Sequence, residues 1–277
     1  MVRSVNMDEQ SKSSMVREAF DTVAGGYDGR ALRFFPEGAK QLADLLGLSG
    51  DERVLDVATG TGNAALALAR RLPRGRVTGV DFSSGMLEQA RRKCSSEGLR
   101  NVEFLERDMQ ALGFEPGEFD AATCSFGIFF VDDMDAQLAQ IARTVRRGGQ
   151  VAITCFQENY FHPLKELMVG QLASHGVLPP PQAWLRIARE EGCRELFERA
   201  GLRDVRVEQR NLGYFLADER EWWDVVWNAG FRRLLSQLPP VNLERFRLDH
   251  LREVAALATP KGIWLDIGVL FTLGVRG

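Results

Sequence analysis

The chain has 277 residues, of which 45% are hydrophobic and 26% are charged, and its formal net charge at pH 7 is -3. This charge lacks the basic excess that binding to a phosphate backbone requires, so we expect no nucleic-acid partner. No early segment combines a basic start with an apolar run, and the apolar stretches are too short to span a bilayer. We therefore expect a cytoplasmic protein, and because its four cysteines form no CxxC pair we expect no metal site.

Hydrophobic periodicity divides the chain into regions. Residues 1–14 are polar and rich in serine, so we predict a flexible tail, followed by helices from Met15 and over 36–46. Strands and helices then alternate up to residue 155, which is typical of a parallel sheet covered on both faces. The predicted strands are 54–57, 76–80, 102–106, 121–125 and 150–155, and the predicted helices are 64–71, 84–95 and 134–145.

Beyond residue 155 the alternation loosens. We predict a core that spans 15–155, resumes over 193–211 with a helix and a strand, and closes with a strand in 264–277. Two stretches, 156–192 (the first insertion) and 212–263 (the second insertion), are predicted to be mainly helical. Every tryptophan of the chain lies in or beside them; these are Trp184, Trp222, Trp223, Trp227 and Trp264.

The segment VLDVATGTG at 54–62 predicts a nucleoside site. A short strand ends around Asp56 and opens into a loop with Gly60 and Gly62, and glycines let a backbone turn tightly and approach a ligand closely. Nineteen residues past Gly62 the next strand ends in Asp81, where a carboxylate can accept from two ribose hydroxyls. Both features indicate a nucleoside-bearing cofactor at the carboxyl edge of the sheet.

Two classes of cofactor fit this loop. Residues 60–65 match the relaxed dinucleotide pattern G-x-G-x-x-A, which favours a nicotinamide-dependent oxidoreductase. A pyrophosphate at this helix start would however lie near Asp56, whose charge would repel it, whereas the ammonium of S-adenosylmethionine would be attracted. The loop chemistry therefore favours S-adenosylmethionine, which would leave as S-adenosylhomocysteine after methyl transfer.

Five segments in order resemble the motifs of class I S-adenosylmethionine-dependent methyltransferases. They are VLDVATGTGNAALALA, VTGVDFSSGMLEQAR, VEFLERDMQAL, FDAATCSFGIFFVDD and VRRGGQVAITCF. The resemblance is closest to the branch that includes the ubiquinone/menaquinone C-methyltransferases. It implies an α/β fold: a doubly wound, mostly parallel, seven-stranded Rossmann-like sheet with an antiparallel last strand and helical lid insertions.

The resemblance also implies roles for single residues. Asp81 would hold the ribose, Asp56 would border the methionine moiety, and Asp108 would accept from the adenine amino group. The full set of implied cofactor-binding residues is Tyr27, Asp56, Ala58, Gly60, Gly62, Asp81, Phe82, Met86, Asp108, Met109, Ser125 and Phe126. The chain departs from the family at Ala58, where a glycine is usual, and at 128–130, where Ile-Phe-Phe replaces the Arg-Asn pair of the quinone enzymes.

The resulting hypothesis is methyl transfer to oxygen or carbon of a small, apolar or aromatic acceptor by in-line displacement. The insertions would form a lid over that acceptor. If the acceptor must lose a proton, His162 and Tyr160 are the candidate bases, although a structural role is the alternative for each. A nicotinamide-dependent oxidoreductase and a non-catalytic S-adenosylmethionine-binding protein stay open as alternatives, and the sequence leaves the oligomeric state undetermined.

Overall fold

The computed structural model describes residues 9–179 and 182–277. Its strands are β1 Arg53–Val57, β2 Arg76–Asp81, β3 Val102–Glu106, β4 Phe119–Ser125, β5 Val145–Phe156, β6 Leu202–Asn211, β7 Tyr214–Leu216, β8 Ile263–Leu265 and β9 Gly268–Arg276. Its α-helices are α1 Glu9–Val23, α2 Phe34–Leu45, α3 Asn63–Ala69, α4 Ser84–Ser96, α5 Met134–Thr144, α6 Leu164–Ser174, α7 Glu190–Arg199, α8 Glu219–Asn228, α9 Arg232–Leu235 and α10 Pro240–Ala255. Short 3-10 helices lie at Arg30–Leu32, Met109–Ala111, Ile128–Phe130 and Ala183–Ile187.

The main sheet has seven strands in the order β3-β2-β1-β4-β5-β9-β6. Strands β1 to β5 pair in parallel, and β9 pairs antiparallel with both β5 and β6. Strands β5 and β6 therefore run in the same direction, and the segments that follow them emerge at the edge where the glycine loop lies. The predicted fold class, including the antiparallel last strand, is confirmed.

Apolar residues form the core on both faces of this sheet. On one face the helix α3, in which the six residues after Asn63 are all buried, packs beside α2, because its alanines allow close approach. On the other face α5 and α7 cover Leu55, Ile153 and their neighbours. The first of these clusters continues without a break into the two insertions through Phe161, Trp222 and Phe231.

Several predicted boundaries differ from the structure. Helix α1 begins at Glu9, so 9–14 is helical where we predicted a tail, and the rest of that predicted tail lies outside the described residues. The second insertion, predicted to be mainly helical, contains the three helices α8, α9 and α10, with breaks at Gly230 and before Pro240. The last strand begins at Gly268, because the chain first pairs β8 with β7 in a two-stranded ribbon.

A buried polar network joins three helices of the insertions. The Nε2 atom of His250 on α10 accepts from Trp222 Nε1 on α8 at 2.8 Å, and its Nδ1 lies 2.5 Å from Gln171 Oε1 on α6. His250 is fully buried, and burial lowers its pKa from 6.5 to about 4. The ring is therefore neutral, with its proton on Nδ1 facing the amide oxygen. In the described part of the chain no helix is long and apolar enough to cross a membrane.

Candidate functional site

The loop between β1 and α3 has the backbone geometry that a close ligand approach requires. Ala58, Gly60 and Gly62 have φ angles of 54°, 54° and 81°, in the left-handed region. A Cβ atom on Gly62 would lie 3.0 Å from the Cβ of Ala90, so a side chain there would crowd α4 as well as strain the backbone. Ala58 adopts the same region with a side chain, which costs about 1–2 kcal/mol and marks the loop as strained.

Asp81 lies at the end of β2, directly beside this loop. It is 7% exposed, and its Oδ2 accepts from the Gly60 N–H at 2.8 Å while its Oδ1 accepts from the Ser83 N–H at 2.9 Å. Burial raises the pKa of this carboxyl, and the backbone donors oppose that rise. Each oxygen retains a lone pair toward the cavity, so the carboxylate can accept from two neighbouring hydroxyls.

Asp56 lies behind the loop rather than in the cavity wall. Its two oxygens accept from Thr59 Oγ1 at 2.6 Å and from Thr123 Oγ1 at 2.7 Å, and the residue is 1% exposed. Burial raises its pKa to about 6. These two bonds hold the loop against β4. Because Asp56 is buried and outside the cavity wall, its direct contact with a methionine ammonium stays a prediction.

One cavity opens at this edge of the sheet. Its wall includes most of the residues predicted from the resemblance, namely Tyr27, Ala58, Gly60, Asp81, Phe82, Met86, Met109, Ser125 and Phe126. It also includes residues that the sequence reasoning missed, which are Phe20, Arg107, Gly127 and Phe130. The predicted residues Asp56, Gly62 and Asp108 are outside this wall.

Asp108 lies outside the cavity wall and bonds to neighbouring protein groups. Its Oδ1 accepts from the Gln110 N–H at 2.9 Å as the N-cap of the 3-10 helix Met109–Ala111, and its Oδ2 accepts from Ser13 Oγ at 3.3 Å. The carboxylate thus joins β3 to α1. Its contact with an adenine amino group stays a prediction.

Helix α1 and the segment after it cover the cavity. Phe20 on α1 lies edge-on to Phe130 with ring centroids 5.1 Å apart, and Tyr27 stacks on Phe35 at 4.8 Å. Asp21 accepts from Ser83 Oγ at 2.6 Å, which fixes α1 to α4. No local sequence pattern identifies Phe20 or Phe130 as cavity residues, since only the docking of α1 brings them together.

Asp28 ties this cover to the glycine loop. Its Oδ1 accepts from Thr61 Oγ1 at 2.8 Å and from Lys93 Nζ at 2.9 Å. Replacing Asp28 with alanine is expected to weaken S-adenosylmethionine binding about fivefold, because a half-exposed ion pair contributes roughly 1 kcal/mol. Isothermal titration calorimetry measures this, and Glu88→Ala, which removes an ion pair with Arg92 on the outer face of α4, is the matched control. Equal affinity of the two variants would show that Asp28 does not hold the cover.

The two predicted bases lie apart from the cavity wall. His162 is on the surface, with its side chain 63% exposed and its Nδ1 3.2 Å from Glu166. Tyr160 is half-buried and stacks on Phe156 at 4.7 Å, and burial raises its pKa to about 12. His162 is therefore corrected to a surface residue, and Tyr160 keeps its proton at neutral pH.

The cavity suits a phosphate-free nucleoside. Arg107 is the one cation among the described wall residues, and its guanidinium lies over the Phe114 ring at 4.5 Å and donates to the Leu112 carbonyl. No wall cation thus faces the glycine loop to offset a pyrophosphate. The described part of the wall therefore lacks a cationic site for a pyrophosphate, and this favours S-adenosylmethionine over a dinucleotide.

Comparison with known proteins agrees with the cofactor class that the cavity favours. Residues 54–149 match the family described as a methyltransferase domain. The chain is 31% identical over 224 residues to a demethylmenaquinone methyltransferase from Lactococcus lactis, covering 72% of this chain and 85% of that protein. It is 32% identical over 149 residues to an aklanonic acid methyltransferase from Streptomyces, covering 53% of this chain and 68% of that protein.

Solved structures share the fold. The YcgJ protein from Bacillus subtilis superimposes with a TM-score of 0.59 at 19% identity, covering 87% of this chain and 98% of that one. A phosphoethanolamine N-methyltransferase from Haemonchus contortus, solved with S-adenosyl-L-methionine, gives a TM-score of 0.56 at 18% identity, covering 100% of this chain and 61% of that one. With its sequence matches and its sheet order, the chain belongs to the S-adenosylmethionine-dependent methyltransferases, in the branch that includes the demethylmenaquinone methyltransferases.

Proposed function

We propose that this enzyme transfers a methyl group to an oxygen or carbon atom of a small, apolar, aromatic acceptor. The single observation that carries the proposal is a row of aromatic rings that leads from the cavity wall into the first insertion. Phe126 in the wall lies 4.6 Å from Phe156, and Phe156 stacks on Tyr160, which lies edge-on to Trp184 at 5.2 Å. Planar apolar molecules bind favourably to such faces.

The residues after β4 support an aromatic acceptor. Here Ile128, Phe129 and Phe130 stand where the quinone enzymes carry an Arg-Asn pair, and they form a 3-10 helix beside the helix Ala183–Ile187. A polar pair is thus replaced by rings at the cavity mouth. We propose that the two insertions act as a lid that excludes water from the acceptor.

The proposed cofactor-binding roles follow from the wall. Asp81 would accept from the ribose hydroxyls, Gly60 would allow close backbone approach, and Phe82 and Met86 would flank the adenine. Ser125 and Phe126 would face the methionine end, and Tyr27 would fold over it. S-adenosylmethionine, when bound, supplies a methyl group on a positively charged sulfur, which is a good leaving group.

This chain's residues would act mainly by positioning. The rings of Phe126 and Phe156 would hold the acceptor in line with the methyl group, which can account for most of the rate. Tyr160 would support Phe156 from behind, since one of its faces stacks on Phe156 and Lys165 Nζ lies over its ring at 4.2 Å. Tyr160 would not act as a base, because burial raises its pKa to about 12. The acceptor would therefore attack without proton transfer to Tyr160 or His162.

Substitution of Tyr160 tests this assignment. Tyr160→Phe is expected to retain turnover within roughly twofold, whereas Tyr160→Ala should raise the KM for the acceptor about tenfold through loss of an aromatic contact. Turnover is measured as S-adenosylhomocysteine formed with aklanonic acid, demethylmenaquinone with and without reductant, and simple aromatic hydroxyl compounds. His162→Gln is the control and should leave turnover unchanged. Abolished turnover in Tyr160→Phe would restore Tyr160 as a base.

Calorimetry separates the alternatives for the whole protein. Micromolar binding of S-adenosylmethionine and S-adenosylhomocysteine, without binding of NAD, is the expected result. Binding of the adenosyl ligands without S-adenosylhomocysteine production across the whole panel would favour a non-catalytic binding protein. Turnover only with polar or cationic acceptors would contradict the aromatic assignment.

A further inference from the structure

Two buried cysteines meet at the base of the first insertion. Cys155 is the second-last residue of β5 and Cys193 lies in α7, so the pair flanks the whole of residues 156–192. Their Sγ atoms are 3.6 Å apart, and both residues are buried free thiols. The other two cysteines are also buried free thiols: Cys94 lies on α4, and Cys124 lies on β4, the strand beside β5.

Both sulfurs face one backbone carbonyl. The Ile187 oxygen lies 3.0 Å from Cys155 Sγ and 3.1 Å from Cys193 Sγ. Ile187 is fully buried and ends the 3-10 helix Ala183–Ile187, so the thiols supply donors to a carbonyl inside the protein. A buried carbonyl that loses its donor costs free energy, because no water replaces it.

We propose that Cys155 and Cys193 are an oxidation site, at which a small hydroperoxide forms a disulfide and thereby releases the helix Ala183–Ile187 from its anchor. The proposal rests on the geometry of the thiols and does not depend on which acceptor the enzyme uses. A disulfide carries no S–H, so neither sulfur could then donate to Ile187. The helix that would loosen carries Trp184 and lies beside Ile128–Phe130 at the mouth of the cavity.

The chemistry balances with the hydroperoxide as oxidant. Cys193 loses its proton, and the resulting thiolate attacks the terminal peroxide oxygen as the O–O bond breaks. The sulfur becomes a sulfenic acid, and the departing oxygen takes up the proton that the thiol released, which gives an alcohol (water from hydrogen peroxide). The Cys155 sulfur then attacks that sulfur, and the hydroxyl group leaves with the Cys155 proton as water. Two thiols lose two electrons, and the hydroperoxide gains them. Hydrogen bonding from Cys155 lowers the pKa of Cys193, which favours Cys193 as the attacking sulfur.

Mass spectrometry of the full chain tests the linkage. The reduced protein is treated with hydrogen peroxide and digested without reductant, and a cross-linked peptide containing both cysteines is expected. Cys94→Ser should form the same cross-link, and Cys193→Ser should not. Absence of the cross-link at a peroxide dose that oxidises the exposed Met15 would overturn the proposal.

Hydrogen exchange tests the consequence. Oxidation is expected to accelerate hydrogen exchange of the amides in 183–189 about tenfold. Local unfolding of this segment would then no longer have to break the hydrogen bonds from the two thiols to the Ile187 carbonyl. Dithiothreitol should reverse the change. The Cys193→Ser variant should keep its slow exchange in peroxide, because the serine hydroxyl can still donate to the Ile187 carbonyl. If Cys193→Ser fails to fold, Cys155→Ser serves as the same control. A cross-link with unchanged exchange at 183–189 would refute the release of the helix.

Discussion

Replacing Asp81 with alanine is expected to weaken S-adenosylmethionine binding by at least roughly tenfold, the largest effect of any single wall substitution. The proposed bonds from two ribose hydroxyls are charge-assisted, and each contributes about 1.5–3 kcal/mol. The variant also frees the Gly60 and Ser83 amides, which Asp81 now holds at 2.8 and 2.9 Å. The loss of affinity therefore has two causes: the ribose hydroxyls lose their acceptor, and the glycine loop loses a hydrogen bond that orders it.

Isothermal titration with S-adenosylmethionine and with S-adenosylhomocysteine measures this effect. Asp81→Asn separates charge from shape, and it should fall between the wild type and the alanine variant. Asp120→Asn is the matched control, because Asp120 accepts from Arg53 and Arg146 at the opposite end of the sheet and should leave affinity unchanged. Unchanged affinity in Asp81→Ala would remove Asp81 from the cofactor site.

Substitution of His250 is expected to change how the free energy of unfolding depends on pH. The pKa of His250 is about 4 in the folded protein, whereas its ordinary value is 6.5. As the pH falls from 6.5 to 4, His250 is therefore protonated in the unfolded chain but stays neutral in the folded protein. The free energy of unfolding then drops by roughly 3 kcal/mol. This stabilisation is fully present above pH 6.5 and is lost on acidification.

Asp56 acts with the opposite sign over nearly the same range. Its pKa is about 6 in the fold against 3.8 ordinarily, so as pH falls the fold binds a proton before the unfolded chain does. The free energy of unfolding rises by roughly 3 kcal/mol between pH 6 and 3.8. The two contributions to the free energy of unfolding therefore oppose each other between pH 6 and 4.

Urea unfolding of His250→Phe at pH 7, 6, 5 and 4 separates the contribution of His250 from that of Asp56. At pH 7 the variant should be less stable by about 2–4 kcal/mol, because Trp222 and Gln171 each lose a buried partner. That deficit should shrink by roughly 3 kcal/mol at pH 4, since phenylalanine does not titrate. The control His162→Gln changes an exposed ring and should follow the wild-type curve. Parallel curves for His250→Phe and the wild type would contradict the assignment.

The sequence alone predicted the part of the site that short segments encode. A strand, a loop with Gly60 and Gly62, and a helix follow each other within a few residues, so local periodicity is enough to recognise them. Asp81 was predictable because parallel strands place their carboxyl ends at one edge of the sheet. The doubly wound, seven-stranded sheet and its antiparallel last strand followed from the family resemblance carried by these same motifs, and the structure confirms both.

Only the tertiary structure decided which side chains face the cavity. Phe20 and Phe130 are distant in sequence and meet because α1 docks on α4, while Asp28 reaches the glycine loop through Thr61 and Lys93. The tertiary structure also shows that Asp56 and Asp108 bond to protein partners, that His250 is buried and that His162 is exposed. The physical reason is that a residue's type and spacing fix what it can bond, but burial and the neighbour it meets depend on packing between segments remote in the chain.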